Sequence, residues 1–99
     1  MRNTTAIGKR FTEATIQAVW EKGRKITGKD PNVWRKDSCG ATIKRDQYGN
    51  TTLRGWEIDH KHPKSRGGSD NLRNLQPLQW ENNRSKGDDY PEWTCKVRG

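Results

Sequence analysis

Cysteine is scarce in this chain and long apolar runs are missing altogether. Cys39 and Cys95 are its only two cysteines, too few for the disulfide framework of a small secreted domain. The N-terminus lacks the apolar run of a signal peptide, so a reducing, cytoplasmic compartment is expected. No stretch approaches the roughly 20 apolar residues needed to cross a bilayer, which leaves the protein without an evident membrane role. Only 27% of the 99 residues are hydrophobic and 32% are charged. A chain this short and this polar can support one thin core, and it contains no internal repeat to suggest a second. Five tryptophans, Trp20, Trp34, Trp56, Trp80 and Trp93, partly compensate, because each buries a large area while keeping an N–H for a surface partner.

Acidic residues are the minority class. The net charge is +8, and its distribution is uneven: residues 1–45 hold eleven Lys/Arg against four Asp/Glu, and residues 46–99 hold nine against eight. Such a field attracts phosphate backbones, although a basic surface can also serve solubility alone. With membranes set aside, nucleic acid is the leading partner.

Residues 1–10 (MRNTTAIGKR) are polar and aperiodic and read as a flexible basic arm, with the remainder, 11–99, as one domain. Thr12 is a natural N-cap, and Phe11 and Ile16 have the spacing of a hydrophobic staple, so a helix is predicted over about residues 13–22, with Gly23 just beyond it. GRKITGKDPN reads as a linker with a turn at Asp30-Pro31. ATIKR and TTLRGWEID read as two short strands around DQYGN, a possible hairpin. HKHPKSRGGSD, residues 60–70, reads as an exposed loop. Leu75, Pro77 and Leu78 then form a brief apolar strand in which Pro77 can occupy only an edge or terminus. QWENNRSKGDD reads as a short helix stopped by Gly87.

Hydrolysis of a phosphodiester requires a base for water, a cation for the charge building at phosphorus, and groups that hold the strand. The segment from Glu57 to Asp88 offers candidates for all three. An imidazole such as His60 can take a proton from water near neutral pH. Asp59 and Asn83 offer the hard oxygens that magnesium prefers. Lys64, Arg66, Arg84 and Lys86 can grip phosphates or simply face solvent. Glu57, two residues before Asp59 on the same strand, can support a metal or stand exposed. A lone histidine in a polar loop is ordinary; the ordered context around this one is not.

That context, GWEIDHKHPKSRGGSDNLRNLQPLQWENNRSKGD, resembles the HNH endonuclease signature, with Asp-His followed by Pro, Gly-Gly, Asn-Leu and a terminal Asn. The resemblance implies an α+β fold: a ββα-metal unit over a core motif at residues 55–88, preceded here by an N-terminal helix. It assigns His60 as general base, Asn74 as the central Asn of the catalytic constellation and Asn83 as the final ligand position, where Asn replaces His. Asn74 is best suited to fixing the loop in register, while neighbouring Asn71 and Asn82 could be mistaken for the motif residues. The implied activity is metal-dependent hydrolysis of DNA with Mg²⁺ or Mn²⁺, RNA remaining open as a substrate. The alternative is a non-catalytic nucleic-acid-binding module on the same fold. Many HNH domains carry two Cys-x-x-Cys pairs around a structural zinc. Here Lys36 stands where a partner of Cys39 would lie, and Gln79 and Asn82 replace the second pair, so a structural zinc is not expected. Trp34, Trp56 and Trp80 are candidates for an apolar cluster in its place.

Overall fold

The computed structural model describes residues 3–99. Its elements in chain order are helix α1 (Glu13–Trp20), strands β1 (Trp34–Lys36), β2 (Thr42–Lys44), β3 (Trp56–His60) and β4 (Leu75–Gln79), and helix α2 (Trp80–Lys86), with one 3₁₀ turn between β2 and β3 and two between β3 and β4. Thr12 caps α1 through its hydroxyl, which accepts from Thr15 N–H at 3.2 Å. Phe11 and Ile16 are both buried, as a staple requires. The helix ends at Trp20, two residues early, because Arg35 takes over its C-terminus. The buried guanidinium donates to the carbonyls of Glu21, Gly23 and Pro31, satisfying groups the helix leaves open. A side chain at Gly23 would press on Arg35 at 3.1 Å.

The strands pair differently from the hairpin suggested by sequence. β2 pairs with β1, antiparallel, with Arg35 opposite Ile43. β3 pairs with β4, with Trp56 opposite Gln79 and His60 opposite Leu75. The segments 41–45 and 51–59 are therefore not partners in one ladder, although Lys44 N–H reaches the Arg54 carbonyl. Pro77 sits mid-strand opposite Ile58. It is tolerated because Ile58 N–H turns away to Asn3 Oδ1 at 2.8 Å. The pair therefore exchanges no ladder bonds, and proline's missing donor leaves nothing unpaired.

The core lies between α1 and the β3–β4 sheet: Phe11, Ile16, Val19 and Trp20 meet Ile43, Trp56, Ile58 and Leu75. Trp20 and Trp56 pack at 5.3 Å between ring centroids, and Tyr48 adds an edge contact at 4.9 Å. The expected Trp34–Trp56–Trp80 cluster does not form. Trp56 is in the core, whereas Trp34 lies beneath Lys29 and Lys44 and Trp80 beneath Arg84.

A polar knot stands where the tryptophan cluster was expected. Asp37 is 2% exposed; its Oδ1 accepts from the Cys39 and Ala41 N–H groups and its Oδ2 from Gln79 N–H and Asn82 Nδ2, each at 2.9 Å. One carboxylate thus joins the β1–β2 turn to the start of α2. Asn82 also gathers the C-terminal tail, its Oδ1 accepting from Lys96 and Val97 N–H and its Nδ2 donating to the Val97 carbonyl. The tail is further fastened by a Cys39–Cys95 disulfide closing 56 residues of chain. The bridge departs from the expectation that two cysteines are too few for a disulfide framework, since two suffice for one bridge. No helix among the described residues is long and apolar enough to cross a membrane.

Within the segment expected to be a flexible arm, residues 3–6 are hydrogen-bonded to the rest of the domain, while residues 7–10 lie exposed. Asn3 Oδ1 accepts from Tyr48 O–H as well as Ile58 N–H, Lys64 Nζ donates to Thr4 and Thr5, and Ala6 N–H donates to the Asp70 carboxylate. Arg2, part of the expected basic arm, lies outside the described residues.

Candidate active site

β3, β4 and α2 form a ββα unit, and a cleft of about 410 Å³ opens across the C-terminal end of β3. Asp59 and His60, adjacent in an extended strand, would point to opposite faces. At the strand end both line this cleft, together with Asn83 from α2, Lys64, Asn3 and Asp88.

His60 is 7% exposed and leans on Phe11, with ring centroids 6.0 Å apart. Its Nε2 lies 2.7 Å from Asp70 Oδ1. This bond places the proton on Nε2, because a carboxylate can only accept. Nδ1 has no hydrogen-bond partner among the described residues, and no buried side-chain nitrogen or oxygen there lacks one. Nδ1 therefore reaches solvent with its lone pair available. Asp70 itself is braced by Ala6 N–H at 2.9 and 3.1 Å.

Asn74 sets the loop between these groups. Its Oδ1 accepts from His62 N–H at 2.9 Å, and its Nδ2 donates to the carbonyls of His62 and Ser69 at 3.1 and 2.8 Å. The clamp closes residues 62–69 so that Asp70 arrives at the imidazole ten residues upstream. The loop is only partly exposed, with Pro63 and Gly68 buried. A Cβ at Gly68 would strike the His62 carbonyl, so glycine is required there. His62 itself stacks on Tyr90 at 4.9 Å, away from the chemistry.

Asp59 is 5% exposed. Its Oδ2 accepts from Gln76 Nε2 at 2.9 Å, and Lys86 Nζ lies 3.3 Å from its Oδ1. Burial raises its pKa above the ordinary carboxylate value, opposed by the Gln76 hydrogen bond, Lys86 and His60. Asn83 donates Nδ2 to Glu57 Oε1 at 2.9 Å. Its Oδ1 has no partner among the described residues and, by the same reasoning as for Nδ1, is open to solvent. Glu57 therefore fixes which end of the Asn83 amide is offered to a ligand. The structure separates the two adjacent asparagines cleanly: Asn82 holds Asp37 and the tail, and Asn83 faces β3.

The four cations expected on phosphates have different surroundings. Lys86 is 1% exposed, with Nζ 3.0 Å from the His60 carbonyl, so its charge serves the interior of the site and cannot contact a substrate phosphate. Lys64 lines the cleft but is engaged by Thr4 and Thr5. Arg66 donates to the Tyr90 carbonyl from an exposed position, and Arg84 is exposed over the Trp80 ring at 4.8 Å. Sequence reasoning missed Asp70 and Gln76. Neither has a local signal, since only loop closure and strand pairing bring them to His60 and Asp59.

The family model of the HNH endonucleases matches residues 37–89, more than half of the chain. The chain belongs to the HNH endonuclease family. No match was found in searches of curated proteins and of solved structures. The matched span of this HNH protein covers the Asp37 knot, β3, the Asn74 loop and all of α2, but excludes α1 and the N-terminal segment that braces Asp70.

Proposed function

We propose that this HNH protein is a metal-dependent endonuclease that hydrolyses phosphodiester bonds in DNA, with His60 as general base. The observation that carries the reading is the His60 ring, held by Asp70 on Nε2 with Nδ1 open in the cleft. In that arrangement Nδ1 takes a proton from water while the water oxygen attacks phosphorus. The bond from phosphorus to the 3′ oxygen breaks, leaving a 5′-phosphate and a 3′-hydroxyl once solvent protonates the departing oxygen. Asp70 stabilises the imidazolium formed in this step without itself taking the proton.

The donor set suits a magnesium or manganese ion. Asp59 and Asn83 provide two hard oxygens in one cleft, and such ions complete their shell with water and substrate phosphate. Among the described residues no group of three or more His, Cys, Asp or Glu side chains is placed to hold a metal ion; the reading rests on the oxygens of Asp59 and Asn83. Bound there, the ion would neutralise charge building on the phosphoryl group and the leaving oxygen. Glu57 orients the Asn83 amide for it, and Lys86 offsets the Asp59 charge in its absence.

The test is plasmid cleavage in magnesium, with and without chelator, by the parent, His60→Ala and Asn83→Ala. His60→Ala should lower the rate by about 10²–10⁴-fold while DNA affinity stays near parental. Asn83→Ala should weaken metal binding and cleavage together. Parental cutting by His60→Ala, with contaminating nuclease excluded, would refute the mechanism in favour of a non-catalytic DNA-binding module.

A further inference from the structure

Beside the cleft runs a second groove whose walls carry Lys22, Arg24, Lys36 and Lys61. We propose that this groove binds the phosphodiester backbone of the DNA strand flanking the scissile phosphate, fixing the direction in which substrate crosses the active site. The proposal rests on the nuclease reading above and adds the path of the strand to it.

Three observations carry it. First, Arg24, Lys36 and Lys61 take part in none of the ion pairs among the described residues, which are Arg45–Glu13, His60–Asp70 and Lys86–Asp59. The single acid lining the groove, Asp37, turns both oxygens to four internal N–H donors. Second, the fold forces like charges together. Arg24 and Lys36 face one another in an antiparallel bridge with both backbone hydrogen bonds at 2.8 Å, and directly opposed like charges destabilise such a pair. Lys22 is held nearby by the carbonyls of Leu72 and Leu75; burial, and then the Lys61 charge, lower its pKa. A polyanion would relieve this repulsion. Third, the groove adjoins the site. Lys61 follows His60 in the chain, and Gln76 both lines the groove and donates to Asp59 in the cleft. Lys22, Arg24 and Lys36 also explain where part of the excess charge of the first 45 residues is used.

The decisive measurement is fluorescence anisotropy of a labelled duplex in chelator, so that binding is read without cutting, across a range of salt. In Arg24→Gln/Lys36→Gln/Lys61→Gln, the slope of log affinity against log salt should become shallower by about 2–3, near 0.9 per lost phosphate contact. Affinity at low salt should fall at least about tenfold. Arg54→Gln, outside groove and cleft, serves as the control for charge alone and should leave the slope at the parental value. Lys61→Gln alone should reduce the slope by about 1 and covers the case in which the triple variant fails to fold. A parental slope in the folded triple variant, or a loss equalled by Arg54→Gln, overturns the groove. If the parent binds with a steep slope that the triple variant loses, yet the parent cuts nothing in magnesium, the groove stands and the nuclease reading fails. If the parent cuts and the triple variant binds as the parent does, the nuclease reading stands and the groove fails.

Discussion

Replacing Asp37 tests whether one carboxylate holds the two halves of the site together. Asp37→Ala removes four hydrogen bonds to a charged acceptor and strands the N–H groups of Cys39, Ala41 and Gln79 and the Asn82 amide. Net hydrogen bonds to charged groups contribute about 1.5–3 kcal/mol each, and a stranded buried donor costs about 1–3 kcal/mol. These terms share one side chain and do not add, so the expected loss is about 3–5 kcal/mol. Against a total of about 5–15 kcal/mol for a chain of this size, that is a large fraction. Asp37→Asn should lose about half as much. One oxygen can still serve Cys39 and Ala41, but its new amide N–H₂ faces Gln79 N–H and the Asn82 amide. Asn82 cannot flip to compensate, because its Oδ1 already accepts from Lys96 and Val97. Urea unfolding followed by tryptophan fluorescence, with the disulfide intact, measures both variants. A midpoint for Asp37→Ala within error of the parent at equal m-value would refute the knot as the link between the β1–β2 turn and α2.

Two further outcomes follow from the site. Asp70→Ala should lower kcat by about 10–100-fold with little change in KM, while Asp70→Asn, which keeps an oxygen for Nε2–H, should recover most of the loss. Ring ¹⁵N shifts of His60 should show Nε2–H in the parent and a tautomer mixture in Asp70→Ala; equal kcat for both variants would remove Asp70 as the positioning residue. The raised Asp59 pKa means a proton competes with the cation at a higher pH than for an ordinary carboxylate. Manganese affinity by calorimetry should therefore begin to fall at a higher pH than it would for an ordinary carboxylate, approaching tenfold per unit below the Asp59 pKa. The sign for metal-free stability is opposite to that of a salt-bridged acid: the Asp59 contribution is full below the unfolded carboxylate pKa and is lost as pH rises through the raised value. Manganese affinity that stays flat down to the pH at which an ordinary carboxylate protonates would refute this account of Asp59.

The parts of the fold readable from sequence were those with local causes. Thr12, Phe11 and Ile16 mark a helix start within a few residues of one another, and Gly87 ends α2 because it takes a positive φ of 51° directly after Lys86. The ββα unit was expected from the family resemblance of the motif between Asp59 and Asn83. The strand partners were not readable: alternation in ATIKR fixes a strand but not its neighbour, and the β1 partner is only three residues long. The helix C-terminus was misplaced because its cap, Arg35, comes from 15 residues past the last helical position. Asp70 lacked any signature because its role depends on the Asn74 clamp. The docking of the N-terminal segment has no local signal, because its bonds run from polar groups to residues 45 to 64 positions away, and composition reports only the apolar part of docking.

Those distant bonds also give the base its setting. His60 is positioned at Nε2 by Asp70, through its carbonyl by Lys86, and across its ring by Phe11. The three supports come from the Gly-Gly loop, α2 and the entry to α1. Asp70 in turn receives Ala6 N–H, so the segment outside the matched family span reaches the imidazole through a single carboxylate. The ion ligands are held by a different set: Asp59 by Gln76 and Lys86, Asn83 by Glu57. Lys86 is the one side chain common to both sets, touching the His60 carbonyl and the Asp59 carboxylate while itself almost fully buried. Its burial is costly unless both partners are present, and this ties the register of α2 to the end of β3. A small domain with a thin apolar core thus holds its reactive groups with charge and hydrogen bonds, where larger proteins would use packing.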